Sequence, residues 1–241
     1  MSLPALYIKL KEALVKPGCP VCRITREAGI RYLEGLLYEM VNDPGTREML
    51  EASWGVCQAH ARELANFTQY SLGIAILNEA LLDKAIKLVR QTLNIGLESC
   101  SPLIHNFLLR KRNPASAGTR MAAVLESTQP CPACRIEAET TGNVLHELNF
   151  QLAQRDPQIT ALYSKSSGLC WPHFRRALSL AEDPAGIRLL AQVQLEKMAA
   201  LQSELKEFIR KHDYRYLGEP WGGEKDSWIR SLKMLSGWLL G

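Results

Sequence analysis

Cys19-Pro20-Val21-Cys22, Cys57-Gln58-Ala59-His60, Cys131-Pro132-Ala133-Cys134 and Cys170-Trp171-Pro172-His173 are the stretches on which the reading of this chain turns. They form two copies of one pattern, a Cys-Pro-x-Cys hook followed by a Cys-x-x-His hook at nearly the same spacing. A duplicated domain with one Cys3His metal site per copy is the direct implication: Cys19, Cys22, Cys57 and His60 for the first copy, Cys131, Cys134, Cys170 and His173 for the second. The hooks use all but one of the 7 cysteines and leave three of the 5 histidines, so little sulfur or imidazole remains for another task.

The duplication extends past the hooks. One offset places Cys19, Cys22, Arg23, Ile24, Glu27, Leu33 and Leu36 over Cys131, Cys134, Arg135, Ile136, Glu139, Leu145 and Leu148. With one extra residue in the second copy, Asp43, Pro44, Gly55, Cys57, His60, Gly73, Leu77, Lys84 and Leu88 fall over Asp156, Pro157, Gly168, Cys170, His173, Gly186, Leu190, Lys197 and Leu201. The unit of about 80 residues is longer than solenoid periods, so two homologous halves are expected rather than an open array.

The pattern around the hooks predicts an all-α fold. Ile30, Leu33, Leu37 and Met40 recur at helical steps after Cys22, and Asn42-Asp43-Pro44-Gly45 ends that helix. A short helix is expected over Thr46 to Ser53. Beyond His60 the apolar period through Leu64, Phe67, Ile74, Leu77, Leu81 and Leu88 runs nearly to Gly96. The second copy carries Asp183-Pro184 inside the matching segment, an N-cap followed by proline at the first helical position. Its counterpart, Tyr70-Ser71-Leu72-Gly73, permits the same break. No stretch alternates as a strand does.

The expected organisation is an N-terminal helical repeat with the first metal site over 1–96 and a connector over 97–128. A second repeat with the second site spans 129–211, and a tail with a final helix spans 212–241. The repeats should be related by pseudo-two-fold symmetry. Within the connector, Arg110 to Gly118 reads as a basic exposed loop. The last helix should begin at Asp226 or Ser227, with Trp228, Leu232, Leu235 and Leu239 as a face for core or oligomer contact.

Why these ligands at this spacing? In the first turn of a helix, positions i and i+3 share a face, so two such hooks close a tetrahedron. Three thiolates, an imidazole and a divalent ion sum to −1. A helix N-terminal dipole and the adjacent Arg23 and Arg135 would lower the cost of that charge. Four protein ligands argue for structural rather than catalytic metal, because a catalytic ion keeps a position open. Two zinc ions are the expected cofactors. The alternative is iron or iron-sulfur clusters, which usually take four cysteines. A redox dithiol is the other contender for Cys-Pro-Val-Cys, but that motif belongs to a βαβ setting absent here. Haem attachment needs histidine directly after the second cysteine, where Arg23 and Arg135 stand.

Other residues read more simply. Cys100, with His105 nearby, is expected as a small buried side chain; His146 and His212 have no ligand partner at metal spacing. No Glu-x-x-His pair, P-loop, dinucleotide fingerprint or nucleophile elbow occurs, so no catalytic residues are assigned and the balance leans against an enzyme. The formal net charge of +4 lends weak support to nucleic-acid binding, for which Arg110, Lys111, Arg112 and Arg120 are the candidates. Lys9, Lys11 and Glu12 interrupt the apolar N-terminal stretch, so no signal peptide is expected. No run approaches membrane-spanning length. Paired thiols suit a reducing cytoplasm, the expected location.

The Cys-Pro-x-Cys-Arg start, the Gly-x-Cys-x-x-His hook, and His212-Asp213-Tyr214-Arg215-Tyr216 followed by Asp226-Ser227-Trp228 resemble an uncharacterised prokaryotic family, a domain of unknown function. The resemblance implies helical metal-binding architecture and supplies no activity. The expected function is therefore a zinc-stabilised helical module or scaffold that binds a protein partner without catalysis. Two alternatives stand beside it: a redox or electron-transfer protein with an iron-sulfur or reactive metal-thiolate site, and a nucleic-acid-binding protein.

Overall fold

Asp-Pro pairs start three of the helices and show how closely the local chain follows its sequence. Asp43 accepts the Thr46 N–H at 2.7 Å, Asp156 accepts that of Ile159 at 2.8 Å, and Asp183 accepts that of Gly186 at 2.6 Å. Each carboxylate satisfies a donor that has no partner inside its helix, and the following proline has no N–H to lose. A computed structural model of the protein describes residues 3–98, 117–216 and 218–237.

The elements, in order, are α1 (Leu3–Leu14), α2 (Pro20–Glu39), α3 (Pro44–Ser53), α4 (Gln58–Ala65), α5 (Ser71–Glu98), α6 (Ala117–Val124), α7 (Pro132–Ala153), α8 (Pro157–Lys165), α9 (Trp171–Leu180), α10 (Pro184–Lys211) and α11 (Ser227–Ser236). Short 3₁₀ turns cover Thr68–Tyr70, Tyr214–Tyr216 and Gly223–Asp226. Among the described residues there is no strand, and no helix is long and apolar enough to cross a membrane. The all-α expectation holds, and the chain does break before α5, where Ser71 stands for the Asp183-Pro184 start of α10.

The residues form two compact units that interleave along the chain. The first joins Met1–Gly29 to Ile136–Gly241; the second is Ile30–Arg135. The unit boundaries fall inside α2 and α7, whereas the repeats read from sequence, 1–96 and 129–211, follow chain order. Each unit therefore draws on both repeats.

In the first unit, Leu6, Leu10, Ala13 and Leu14 turn one face of α1 into the core. There they join Val21 and Ile24 of α2, Leu145, Leu148 and Leu152 of α7, and Leu190 and Val193 of α10. In the second unit, Leu36 and Leu37 of α2 meet Leu50 of α3 and Leu77 of α5, with Val56, Phe67 and Ile74 packed around them.

Of the two roles expected for the apolar face of the last helix, core and oligomer contact, the fold does not give it the first. The helix starts at Ser227 as predicted, but Trp228, Leu232 and Leu235 are 51%, 43% and 56% exposed. The face turned inward is the opposite one, with Ser227 fully buried and Met234 accepting from Gln194. Arg230 decides this orientation by pairing with Glu204 of α10 and, at 2.7 Å, with Asp226. Leu239, Cys100, His105 and Arg110 to Arg112 lie outside the described residues.

Candidate metal centres

All four hooks are one local device. Cys19, Cys57, Cys131 and Cys170 each stand immediately before a helix, and Cys22, His60, Cys134 and His173 are the third residue of α2, α4, α7 and α9. Backbone bonds from Arg23, Ala61, Arg135 and Phe174 to the four leading cysteine carbonyls close the first turns. The leading cysteine thus holds the N-cap position, where Ser or Asp would normally sit, and its sulfur shares a face with the ligand three residues on. Pro20 and Pro132 at the first helical position cost no hydrogen bond.

The structure brings all eight residues into two groups, and corrects which hook meets which. Cys19 and Cys22 gather with Cys170 and His173; Cys131 and Cys134 gather with Cys57 and His60. The pairing expected in chain order, Cys19 and Cys22 with Cys57 and His60, is not the one formed. Helix length gives the reason. A helix of 20 residues carries the chain about 30 Å from the Cys19 hook, and the 10-residue α3 returns about half of that. Each Cys-Pro-x-Cys hook closes instead on the Cys-x-x-His hook of the other repeat.

Within each group the donor atoms all lie within 4.8 Å of one another. In the first, Nδ1 of His173 is 3.5, 3.3 and 3.2 Å from the sulfurs of Cys19, Cys22 and Cys170, and the Cys22 and Cys170 sulfurs are 3.6 Å apart. In the second, Nδ1 of His60 is 3.2, 3.5 and 3.4 Å from Cys57, Cys131 and Cys134, with Cys57 and Cys134 at 3.6 Å. A disulfide would need about 2.05 Å. One tetrahedral ion, bonded at about 2.3 Å to sulfur and about 2.1 Å to nitrogen, puts its ligands roughly 3.5 to 3.8 Å apart. Both groups fit a single metal ion.

The electrostatics point the same way. Burial opposes ionisation of Cys57, yet the His60 amide and imidazole outweigh it and the thiol falls to about 7. Burial and the neighbouring sulfurs of Cys57 and Cys131 push Cys134 up to about 12. In the first group burial disfavours the His173 imidazolium, but Cys170 and Cys19 raise it to about 9. Contacts with Cys170 and Cys19, then burial, push the Cys22 thiol far up. Cys19 is buried too, but hydrogen bonds from its neighbours carry it well down. Without a cation, one sulfur ionises at its neighbours' expense; a divalent ion takes the place of the protons that otherwise keep them together. Two helix N-termini converge on each group, each offering roughly half a positive charge, enough to offset the −1 of three thiolates with a divalent ion. The arginines after the hooks have other contacts: Arg23 donates to the Pro17 carbonyl at 2.6 Å and Arg135 to the Met49 sulfur at 3.0 Å.

Two positioning residues were not singled out in the sequence. Gln194, buried in α10, donates to the Leu169 carbonyl at 2.9 Å and accepts the Leu169 N–H at 3.0 Å, clamping the backbone just before Cys170. Its only signal was a polar residue within the apolar stripe of Leu190, Val193 and Leu201. Gly237, at a φ of 91°, ends α11 against the sulfurs, where a Cβ would lie 3.5 Å from Cys170 and 3.6 Å from Cys22. Nothing local to Gly237 announces this. His146 and His212 join neither group; His212 meets the Phe208 carbonyl at 2.8 Å instead.

Comparison with known proteins gives a family and supplies no activity. The chain is 20% identical over 204 residues, 85% of its own length and 87% of the relative's, to an uncharacterized 23.9 kDa protein in the xynA 3' region of Caldicellulosiruptor sp. (strain Rt8B.4). No solved structure matches. Residues 1–240 match the family of unknown function DUF6062, and the chain belongs to that family.

Proposed function

We propose that this is a zinc-stabilised helical protein of a reducing compartment, the cytoplasm, that works by binding a protein partner and catalyses nothing itself. The observation that carries the metal assignment is the closed donor set, three sulfurs and one imidazole within 4.8 Å in each group. Zinc accepts that set in a tetrahedron without redox chemistry. An iron-sulfur cluster distributes its cysteines over several irons, so its ligand sulfurs stand farther apart than donors on one ion. With four protein ligands, no position is left for water or substrate.

The partner-binding half rests on α5. Leu82, Ile86, Val89 and Leu93 recur at steps of 4, 3 and 4 and are all exposed. That spacing is the seam an amphipathic helix offers another, flanked by the Asp83–Lys87 ion pair at 2.6 Å. The partner is thus a protein that presents an apolar helix face.

Elemental analysis and a visible spectrum of protein purified without chelator test the metal. Two zinc ions per chain and no visible absorbance are expected; one ion or none, or a band that bleaches on reduction, refutes the assignment. Ile86→Glu should abolish partner capture while zinc content stays at two. A shift in sedimentation with concentration that Ile86→Glu removes would identify the seam as a self-contact and overturn the separate-partner reading.

A further inference from the structure

Beside the first metal group the first unit forms a partly open cavity of about 540 Å³, within the roughly 300–1,000 Å³ of small-molecule sites. Cys19, Cys22 and Cys170 border it. Leu169, Leu201 and Met234 supply apolar wall, and Lys197 and Arg230 are among its charged groups.

The internal duplication provides a comparison within one chain. At the matching positions the second unit has Trp54 where the first has Ser167, Lys87 where it has Ala200, and Glu51 where it has Ser164. In the second unit Lys84 donates to Glu51 at 3.1 Å and lies 5.6 Å from the Trp54 ring centre. Lys197 is the counterpart of Lys84, and both of those partners have been replaced by serines. One, Ser167, accepts the Gly18 N–H at 3.0 Å, which ties its small side chain back to the wall. Lys197 has no ion-pair partner among the described residues. The acids in the wall do not supply one, because Glu204 and Asp226 both engage Arg230. The replacements thus remove bulk and leave a lysine unpaired at the same place, next to apolar surface.

We propose that this cavity binds a small organic anion, a carboxylate or phosphate on an apolar body, with Lys197 taking the charged end and Leu169, Leu201 and Met234 the apolar end. A half-buried lysine ammonium beside apolar surface gains more from an anion than a fully solvated one does, because less water screens the pair. The apolar wall rejects inorganic ions that cannot cover it. The site depends on the cavity and Lys197, whichever ion the sulfurs hold.

Calorimetric titration of the metal-loaded full chain with octanoate and with octyl phosphate tests this, with octylammonium as the matched cation and metal content determined on the same samples. At least one of the anions should bind saturably at one per chain, and which one does identifies the head group. Lys197→Met should weaken that binding at least tenfold, Ala200→Trp should fill the cavity and abolish it, and octylammonium should not bind. Absence of saturable binding by both anions, equal binding of octylammonium, or wild-type affinity in Lys197→Met overturns the proposal. A sample that holds two metal ions and binds neither anion refutes this inference and leaves the metal assignment standing.

Discussion

Replacing Cys22 by serine is expected to unfasten the first unit and leave the second folded. The Cys22 sulfur lies 3.3 Å from His173 Nδ1 and 3.6 Å from the Cys170 sulfur, so its loss frees the start of α9 from the start of α2. Val21, Leu169 and Phe174 are buried beside that junction. At about 1.5 to 3 kcal/mol for each such side chain, exposing them forfeits roughly 5 to 9 kcal/mol. That is comparable with the whole stability of a domain, about 5 to 15 kcal/mol, before the ion's own contribution is counted. Hydrogen exchange read by mass spectrometry should show lost protection in α9, α10 and α7 beyond Ile136, with α3, α4 and the Leu77 turn of α5 protected as in wild type. Cys22→Ser and His173→Ala should be strongly non-additive, since either one opens the same site. Cys22→Ser and His60→Ala should add within about 0.5 kcal/mol. Deprotection of Leu50 to Leu77 with α9 and α10 intact, or coupling of Cys22 to His60, would show that the crossed pairing is wrong.

Gln194→Leu should lower stability by roughly 2 to 5 kcal/mol, measured by urea unfolding, because it strands both backbone groups of Leu169 in the core. Gly168→Ala should cost more than about 1 kcal/mol, since Gly168 has a φ of 74° and a Cβ there would stand 3.1 Å from Gln194 Oε1. Gly142→Ala, inside α7 with nothing nearer than 3.8 Å, should instead stabilise by about 0.5 to 1 kcal/mol; a shared sign for the two variants would contradict this account. The Gly222 N–H and then Lys211 hold the Glu224 carboxyl down to about 2. Its stabilising effect is therefore complete above the ordinary value of about 4.3 and lost as the pH falls through about 2. Trp221 fluorescence, which reports the tail against Phe208 and His212, should show an acid transition in that window that Glu224→Gln lacks; identical profiles would refute it.

Much of this molecule is written in short-range chemistry. The helices were legible because apolar residues recur at the helical period and because Asp183, followed by proline, reads as an N-cap. The ligand types were legible because few other tasks need Cys-x-x-Cys and Cys-x-x-His in two copies. Whether the apolar face of α11 packs inward or serves an oligomer contact was not legible, because its spacing looks the same whether the helix packs on that side or, as here, is turned over by the Arg230 pairs with Glu204 and Asp226.

The amino-acid order alone determined that the chain is helical, that it is duplicated, and that eight side chains share metal-ligand chemistry. These depend on residues within a turn or two of each other. Which hook meets which was decided only in three dimensions. Both copies carry the same hooks, so local chemistry is equally satisfied by either pairing, and the choice falls to the lengths of α2 and α3, and of α7 and α8, acting over distances no motif spans. The cavity has the same origin: Ser167 and Ala200 are ordinary residues in sequence, and they become a site only where the fold sets them in one wall with Lys197.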